Sequence, residues 1–314
     1  MIGFTSGMLA TDHSMEVTYN ESFEKYNIED GHFRLSAAPD ESFIKNIEDE
    51  NDVKLYDISY KEVKAGKNKY RIFVNREKVN KASLMDGRLP EKSDELGIDR
   101  LFAKNNSLKI GDTVKLKGKS FKIVGLIALS DYSALFPKNT DTIFNAQDFT
   151  VATVTNEGFD RLSDAATTPV FAWKNSKNLS ETKQKKLYDD LAKYIAIKAA
   201  YQQITLDEFI PAKENQAIIF TGNDMGRDQS VILVLLAIVM IIMAFIFAIT
   251  TLSMIDKESK SVGTLLASGY TRAELTWHYM RIPILISLLY AILGNILGYT
   301  YFKGLVAGLY YNSY

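Results

Sequence analysis

The sequence predicts an α+β extracytoplasmic domain followed by two transmembrane α-helices joined by a short cytoplasmic helix. Three observations carry this: a 25-residue stretch, Val231 to Ile255, without a charged side chain; a second apolar run behind a short charged loop; and mixed strand and helix patterning before them. As a helix, the first run reaches roughly 37 Å, enough to cross a hydrocarbon core of about 30 Å with some tilt. Its sixteen Ile, Leu, Val or Phe residues favour the bilayer by about 5 to 10 kcal/mol on the insertion scale. A buried helix of a soluble protein has no need of that.

A net charge of −1 over 314 residues hides how charge is distributed. Of the 37 Lys and Arg, only Lys257, Lys260, Arg272, Arg281 and Lys303 lie beyond residue 230. With no basic excess there is no electrostatic case for nucleic acid. The absence of cysteine excludes disulfides and thiolate chemistry and fits an extracytoplasmic setting. The polar block is long enough for one or two domains with their own cores. The expected division is 1–230 outside, 231–255 a span, 256–280 a cytoplasmic loop with a helix, 281–303 a second span, and 304–314 an outer tail.

The second run, Ile282 to Phe302, is weaker, with eleven Ile, Leu or Phe residues beside Pro283 and Asn295. Gly294 and Gly298 form a small-xxx-small pair, and Ser287 and Ala291 extend that face, so close helix packing is expected. Asn295 is placed to hydrogen-bond a neighbouring helix. The loop, Asp256 to Arg281, carries four Lys or Arg; the twenty residues before Val231 carry Lys213 and Arg227, and the tail carries only Lys303. That asymmetry puts the loop in the cytoplasm. Trp277 and Tyr279 then fall at the inner interface, and Tyr299, Tyr301, Tyr310 and Tyr311 toward the outer one.

Within the loop, Val262, Leu265 and Leu266 share one helical face, and Gly269 is placed as a C-terminal stop. Thr271 to Glu274 matches a capping box, opening a helix that runs into the second span. The bland alternative is a helix lying on lipid. The stretch Asp256 to Leu275 resembles the signature of FtsX-like (MacB-type) ABC transporter permeases. Glu258, Gly263, Leu265, Ala267, Gly269 and Arg272 fill its acidic, small, apolar and basic places; Leu266 stands where the pattern often carries a basic residue. The resemblance implies a coupling helix, including Val262 and Tyr270, that seats on a separate ABC ATPase subunit. It also implies neighbours among other permease helices or a second permease copy. Any ATP would be bound by the ATPase, with no cofactor in this chain. His278 to Pro283 is similar to the longer members of the group.

The polar block supports the same resemblance through Leu84 to Pro90, Asp94 to Asp99, Leu108 to Leu116 and Phe121 to Gly125. Val114 and Leu116 against Phe121 and Ile123, around Lys117 to Ser120, signal a hairpin. Asp52 to Ser59 and Tyr70 to Val74, split by Ala65 to Asn68, read as a second. Helices are expected at Asp40 to Glu48, with Phe43, Ile44 and Ile47 together, and at Glu181 to Ala200. The latter groups Leu187, Leu191, Tyr194 and Ile195 behind a Ser180 cap.

Decoys carry no chemistry. Gly118 to Ser120 ends like a phosphate-binding loop, but Thr113 stands where the first glycine belongs. His13, His32 and His278 lack ligand spacing, Glu48 to Glu50 reads as a solvated helix end, and Lys183 to Lys186 as a wet helix face. No enzyme is expected. Met1 to Ala10 lacks the basic flank of a signal peptide. Against the family pattern, the chain is expected to be partial, lacking the first and last membrane helices. The reading is a permease subunit or fragment that transmits ATPase motion to the outside domain for export or mechanotransmission, multi-pass in the cell membrane. The alternatives are a membrane-tethered binding or sensor module without an ATPase, and a nonfunctional truncated permease.

Overall fold

The computed structural model describes residues 2–176 and 180–313. The chain divides into two compact units, one made of Met1–Val17 with Asn223–Ser313 and the other of Thr18–Gly222.

The second unit holds two sheets among the described residues. The first is four-stranded and antiparallel, in the order β12 (Leu206–Pro211), β1 (Gly31–Leu35), β11 (Val170–Asn175), β2 (Val53–Asp57). Alternation along β1 sends Phe33 and Leu35 to one face and His32 and Arg34 to the other. The first face is covered by α2 (Glu41–Glu50) and α5 (Glu181–Tyr201). Phe43 and Ile47 of α2 and Leu191 and Ile195 of α5 close a core there with Trp173. Asp40 caps α2, accepting from the Phe43 N–H at 3.0 Å and satisfying an orphan first-turn donor. Ser180 sits at the N-cap of α5 but makes no side-chain cap bond, contrary to the sequence expectation.

The second sheet is mixed. It runs β10 (Thr167–Thr168), β3 (Tyr60–Ala65), β4 (Asn68–Val74), β9 (Phe149–Val154), β6 (Glu95–Asp99), β8 (Lys119–Leu129), β5 (Ala82–Gly87), with β7 (Thr113–Leu116) also on β8. Two short helices, α3 (Arg100–Asn105) and α4 (Asn156–Asp160), pack against it. Its core holds Ile72, Leu96, Ile98, Phe102, Phe121 and Phe149. The expected hairpin around Lys117 is present, with Val114 opposite Phe121. The other hairpin is not formed by the segments the sequence pointed to. Tyr60–Ala65 pairs with Asn68–Val74 across Gly66 and Lys67, while Val53–Asp57 joins the first sheet beside β11. The nearest strand pairs across a two-residue turn, and a partner more than a hundred residues away leaves no local pattern.

The first unit is helical. The helix α1 (Ile2–Lys25) begins the chain, and its first part belongs with the apolar helices, whereas the sequence assigned residues 1–230 to one outside domain. The next long helix, α6 (Gln216–Ala267), is a single 52-residue rod. The sequence expected a break between a span ending at Ile255 and a separate loop helix. With no proline between 216 and 267, the intrahelical ladder has no reason to stop. Then α7 (Arg272–Leu297) carries Pro283 within it, and a π-helical turn over Gly298–Phe302 leads into α8 (Lys303–Ser313), where a tail was expected. Gln216–Ala267 and Arg272–Gly308 are long and apolar enough to cross a membrane, and only 6% of each apolar window is buried. Exposure of that kind separates them from the core helix of a soluble protein, which would be mostly buried.

Candidate functional site

The turn between α6 and α7 is closed by two interlocking caps. Gly269 takes φ +97, a conformation that costs a residue with a Cβ about 1–2 kcal/mol. Its N–H donates to the Leu266 carbonyl at 3.1 Å, and the Tyr270 N–H reaches the Leu265 carbonyl at 3.2 Å. These are the paired bonds of a Schellman ending. Thr271 then opens α7 with a complete capping box: its side chain accepts from the Glu274 N–H at 3.3 Å, and Glu274 accepts the Thr271 N–H at 2.8 Å. Two helix ends are thereby satisfied within six residues, which makes this a shaped tip rather than a slack loop.

Of the side chains named for this tip, Leu275 in α7 is buried, while Val262 and Leu265 are half-buried. Glu258, Gly263, Leu266, Gly269, Tyr270 and Arg272 are exposed. Leu266 and Tyr270 leave 39% and 53% of their surface open, and a Cβ on Gly263 would meet nothing within 4 Å. Trp277 is open as well. Leu266 and Tyr270 are therefore left partly open by the described residues, at a tip held by two caps.

The glycines of the second run meet α1. A Cβ placed on Gly298 would fall 2.6 Å from the Gly3 carbonyl oxygen and 2.9 Å from Ser6 Cβ, and one on Gly7 would fall 2.7 Å from the Gly298 carbonyl oxygen. A Cβ on Gly3 would sit 2.7 Å from the Gly294 carbonyl oxygen. Two small-xxx-small pairs thus face each other at backbone contact. Thr11 Oγ1 donates toward the Gly7 carbonyl at 2.8 Å and the Lys303 carbonyl at 3.1 Å, and Phe4 meets Phe302 edge-on at 5.9 Å. Ala291 and Gly294 are half-buried, whereas Ser287 and Asn295 are exposed. Asn295 donates to the Ala291 carbonyl of its own helix at 2.9 Å, not to a neighbour. Tyr299 and Tyr301 are exposed; Tyr310 and Tyr311 have side chains that lie outside the described residues. We expect Gly298→Leu to destabilise this contact by about 1–3 kcal/mol. Gly304→Leu, at a position with nothing within 4 Å, should shift the detergent-solubilised melting temperature far less.

A second constellation, unmarked in the sequence, lies in the strand-rich unit. The outward face of β1 borders a cavity of about 370 Å³, walled also by β3, β4, β12 and residues 131–140. Beneath it four ionisable side chains cluster. His32 Nδ1 lies 2.5 Å from Glu29 Oε1, and Asn80 Nδ2 donates to the other Glu29 oxygen at 2.6 Å. Arg76 donates to Asp131 at 2.7 Å with both side chains nearly closed to water. Burial opposes charging Glu29, yet the His32 charge and the bonds from His32 and Asn80 prevail and hold it below the usual carboxylate range. Burial likewise opposes charging His32, and Glu29, with help from Glu208 and Asp131, raises it. Burial pushes Asp131 up against the pull of Arg76.

The sign of the pH dependence follows. A raised imidazole contributes stability below its ordinary value of 6.5 that is lost as pH rises through the raised value. Wild type should therefore lose stability as pH rises above 6.5, and His32→Gln should flatten that arm in a urea series taken from about pH 6 upward. No metal-ligating cluster is present among the described residues.

A helical pair this apolar and this exposed, closed by a doubly capped tip, is a pair of candidate membrane spans. Residues 233–313, from within α6 to the end of α8, match the family model of the FtsX-like permease C-terminal domain. No curated protein matches the chain. Among solved structures, the periplasmic region of MacB from Actinobacillus actinomycetemcomitans aligns at 10% identity and TM-score 0.35, covering 59% of this chain and 91% of that one. The extracellular domain of the noncanonic ABC-type transporter YknZ from Gram-positive bacteria aligns at 12% identity and TM-score 0.32, covering 57% and 98%.

Proposed function

We propose that this chain is a permease subunit of an ABC transporter, in which the tip around Gly269 seats on a separate ATPase subunit. The observation that carries the reading is the tip itself. Inside the segment that matches the FtsX-like permease C-terminal model, two complete caps hold Leu266 and Tyr270 with 39% and 53% of their surface open. Exposed aromatic side chains such as Tyr270 are what a protein interface uses as anchors, and Leu266 adds apolar surface beside it. ATP is bound and hydrolysed by the partner. Here the long rods carry the displacement: a continuous α6 transmits axial motion that a broken span and loop would absorb. The tip lies in the cytoplasm, the strand-rich unit outside, and the chain in the cell membrane, multi-pass.

The test substitutes positions whose exposure spares the fold. Leu266→Asp and Tyr270→Asp should each reduce co-purification of the cognate ATPase by at least about tenfold, the loss of one anchoring side chain. Unchanged recovery from both variants overturns the coupling role and favours a tethered module without an ATPase. Protease added to intact cells should cut the strand-rich unit and spare the tip; the reverse pattern overturns the orientation.

A further inference from the structure

The cavity beside β1 is lined wholly by residues of the strand-rich unit. We propose that it binds a small organic anion, its carboxylate or phosphate group seated between Nε2 of His32 and the guanidinium of Arg34. The inference stands whether or not an ATPase partner exists.

The strand sets the geometry. His32 and Arg34 are two residues apart on β1, so both project from one face while Phe33 enters the opposite core. Their Cα atoms are separated by about 7 Å along the strand, a spacing over which two long side chains converge on one anion. His32 is not free to turn. Its Nδ1 is fixed on Glu29, which is held in turn by Asn80, and the Asn80 side-chain Oδ1 accepts the Glu29 N–H at 2.8 Å. The bond at one ring nitrogen sets the role of the other. Among the described residues nothing bonds to Nε2, and the ring keeps 18% of its side-chain surface open at the cavity wall.

Arg34 is the opposite case. It touches Asp207 and Glu208 only at 3.4 Å, the long limit of hydrogen bonding. These two long contacts are what its planar fork exchanges when it turns toward a carboxylate or phosphate. Of the other charges on the walls, Lys138 is in no ion pair among the described residues, and the rest are committed. Arg71 and Lys69 share Glu62, and Arg71 also bonds the Tyr132 hydroxyl. Asp131 is taken by Arg76. The groups facing His32 are Glu29 from its own segment, Glu208 from β12 and Asp131 from the turn after β8. Against the opposing effect of burial, these carboxylates raise the imidazole above its ordinary value, favouring the ring that donates from both nitrogens. Ile58, Phe73 and Phe136 supply apolar wall for the ligand's body, and the volume falls at the lower end of the roughly 300–1,000 Å³ of small-molecule sites.

The chain has three histidines, and His13 and His278 are exposed. The full chain carrying His13→Gln and His278→Gln therefore gives one imidazole Cε1–H resonance in detergent, that of His32. Titrated with acetate or with inorganic phosphate, this signal should shift saturably, and its pH midpoint should rise because a bound anion favours the imidazolium. Added Arg34→Gln should weaken the probe by about tenfold, the loss of one charge-assisted bond. Saturation by one probe alone supports the site and names the group it takes. A shift that never saturates, or one unchanged by Arg34→Gln, overturns the proposal. Neither readout depends on recovery of an ATPase.

Discussion

Asp131→Ala is expected to destabilise the strand-rich unit by about 3–5 kcal/mol, the cost of stranding a buried charge. The partner left behind is Arg76, whose side chain keeps 5% of its surface exposed and whose guanidinium lies 4.0 Å above the Phe73 ring. Removing one member leaves the guanidinium without its counter-charge in a place water barely reaches. Removing both is a different experiment. Arg76→Met with Asp131→Leu fills similar volume without a charge, and such exchanges are often near neutral. The single variant should therefore be far worse than the double. The reporter is built in: the chain has two tryptophans, and Trp277→Phe leaves Trp173, which is fully buried in this unit. Urea unfolding followed by Trp173 fluorescence gives the comparison. A double variant as unstable as the single would mean that the cost lies in packing and not in the charge.

What was legible in the sequence depended on how local the signal is. The capping box at Thr271, the stop at Gly269 and the hairpin around Lys117 each reside in a handful of consecutive residues, and each stands in the structure. The apolar rods were legible from length and composition, but their ends were not. A charged stretch from Asp256 signalled a loop, whereas helix continues through it to Ala267, because charge alone does not break a backbone ladder. The first helix was missed because Thr5, Ser6 and Gly7 interrupt its apolar run; the reason for Gly3 and Gly7 appears only when Gly294 and Gly298 lie against them. The charged cluster was illegible for the same reason. Glu29, His32, Arg76 and Asp131 span about a hundred residues, and they converge through the order of two sheets. The one local clue was alternation in Gly31 to Leu35, where His32 and Arg34 interleave with two core residues.

Gly31→Ala is expected to cost about 3 kcal/mol, the upper end for overpacking a filled core. A Cβ there would lie 2.2 and 2.3 Å from two ring carbons of Trp173 and 2.7 Å from the Ile210 carbonyl oxygen. The ring cannot retreat. It is fully buried, stacked on Phe209 at 4.5 Å and edge-on to Tyr188 at 5.5 Å. Gly31 also pairs with both neighbours, opposite Trp173 in β11 and Pro211 in β12, so the strand cannot shift without breaking two ladders. If the steric account is right, the cost belongs to the pair. Trp173→Leu alone should destabilise by removing ring contacts, and in that background Gly31→Ala should become nearly silent. Contacting residues commonly show coupling of about 0.5–3 kcal/mol in such a cycle. Circular dichroism melts of the four proteins measure it, since the fluorophore is itself replaced. The same strand carries His32 and Arg34 on its other face, so Gly31→Ala should also weaken acetate or phosphate binding at His32 if displaced backbone is what relieves the clash. Additive costs with no coupling would place the penalty in the backbone of β1 and not against the Trp173 ring.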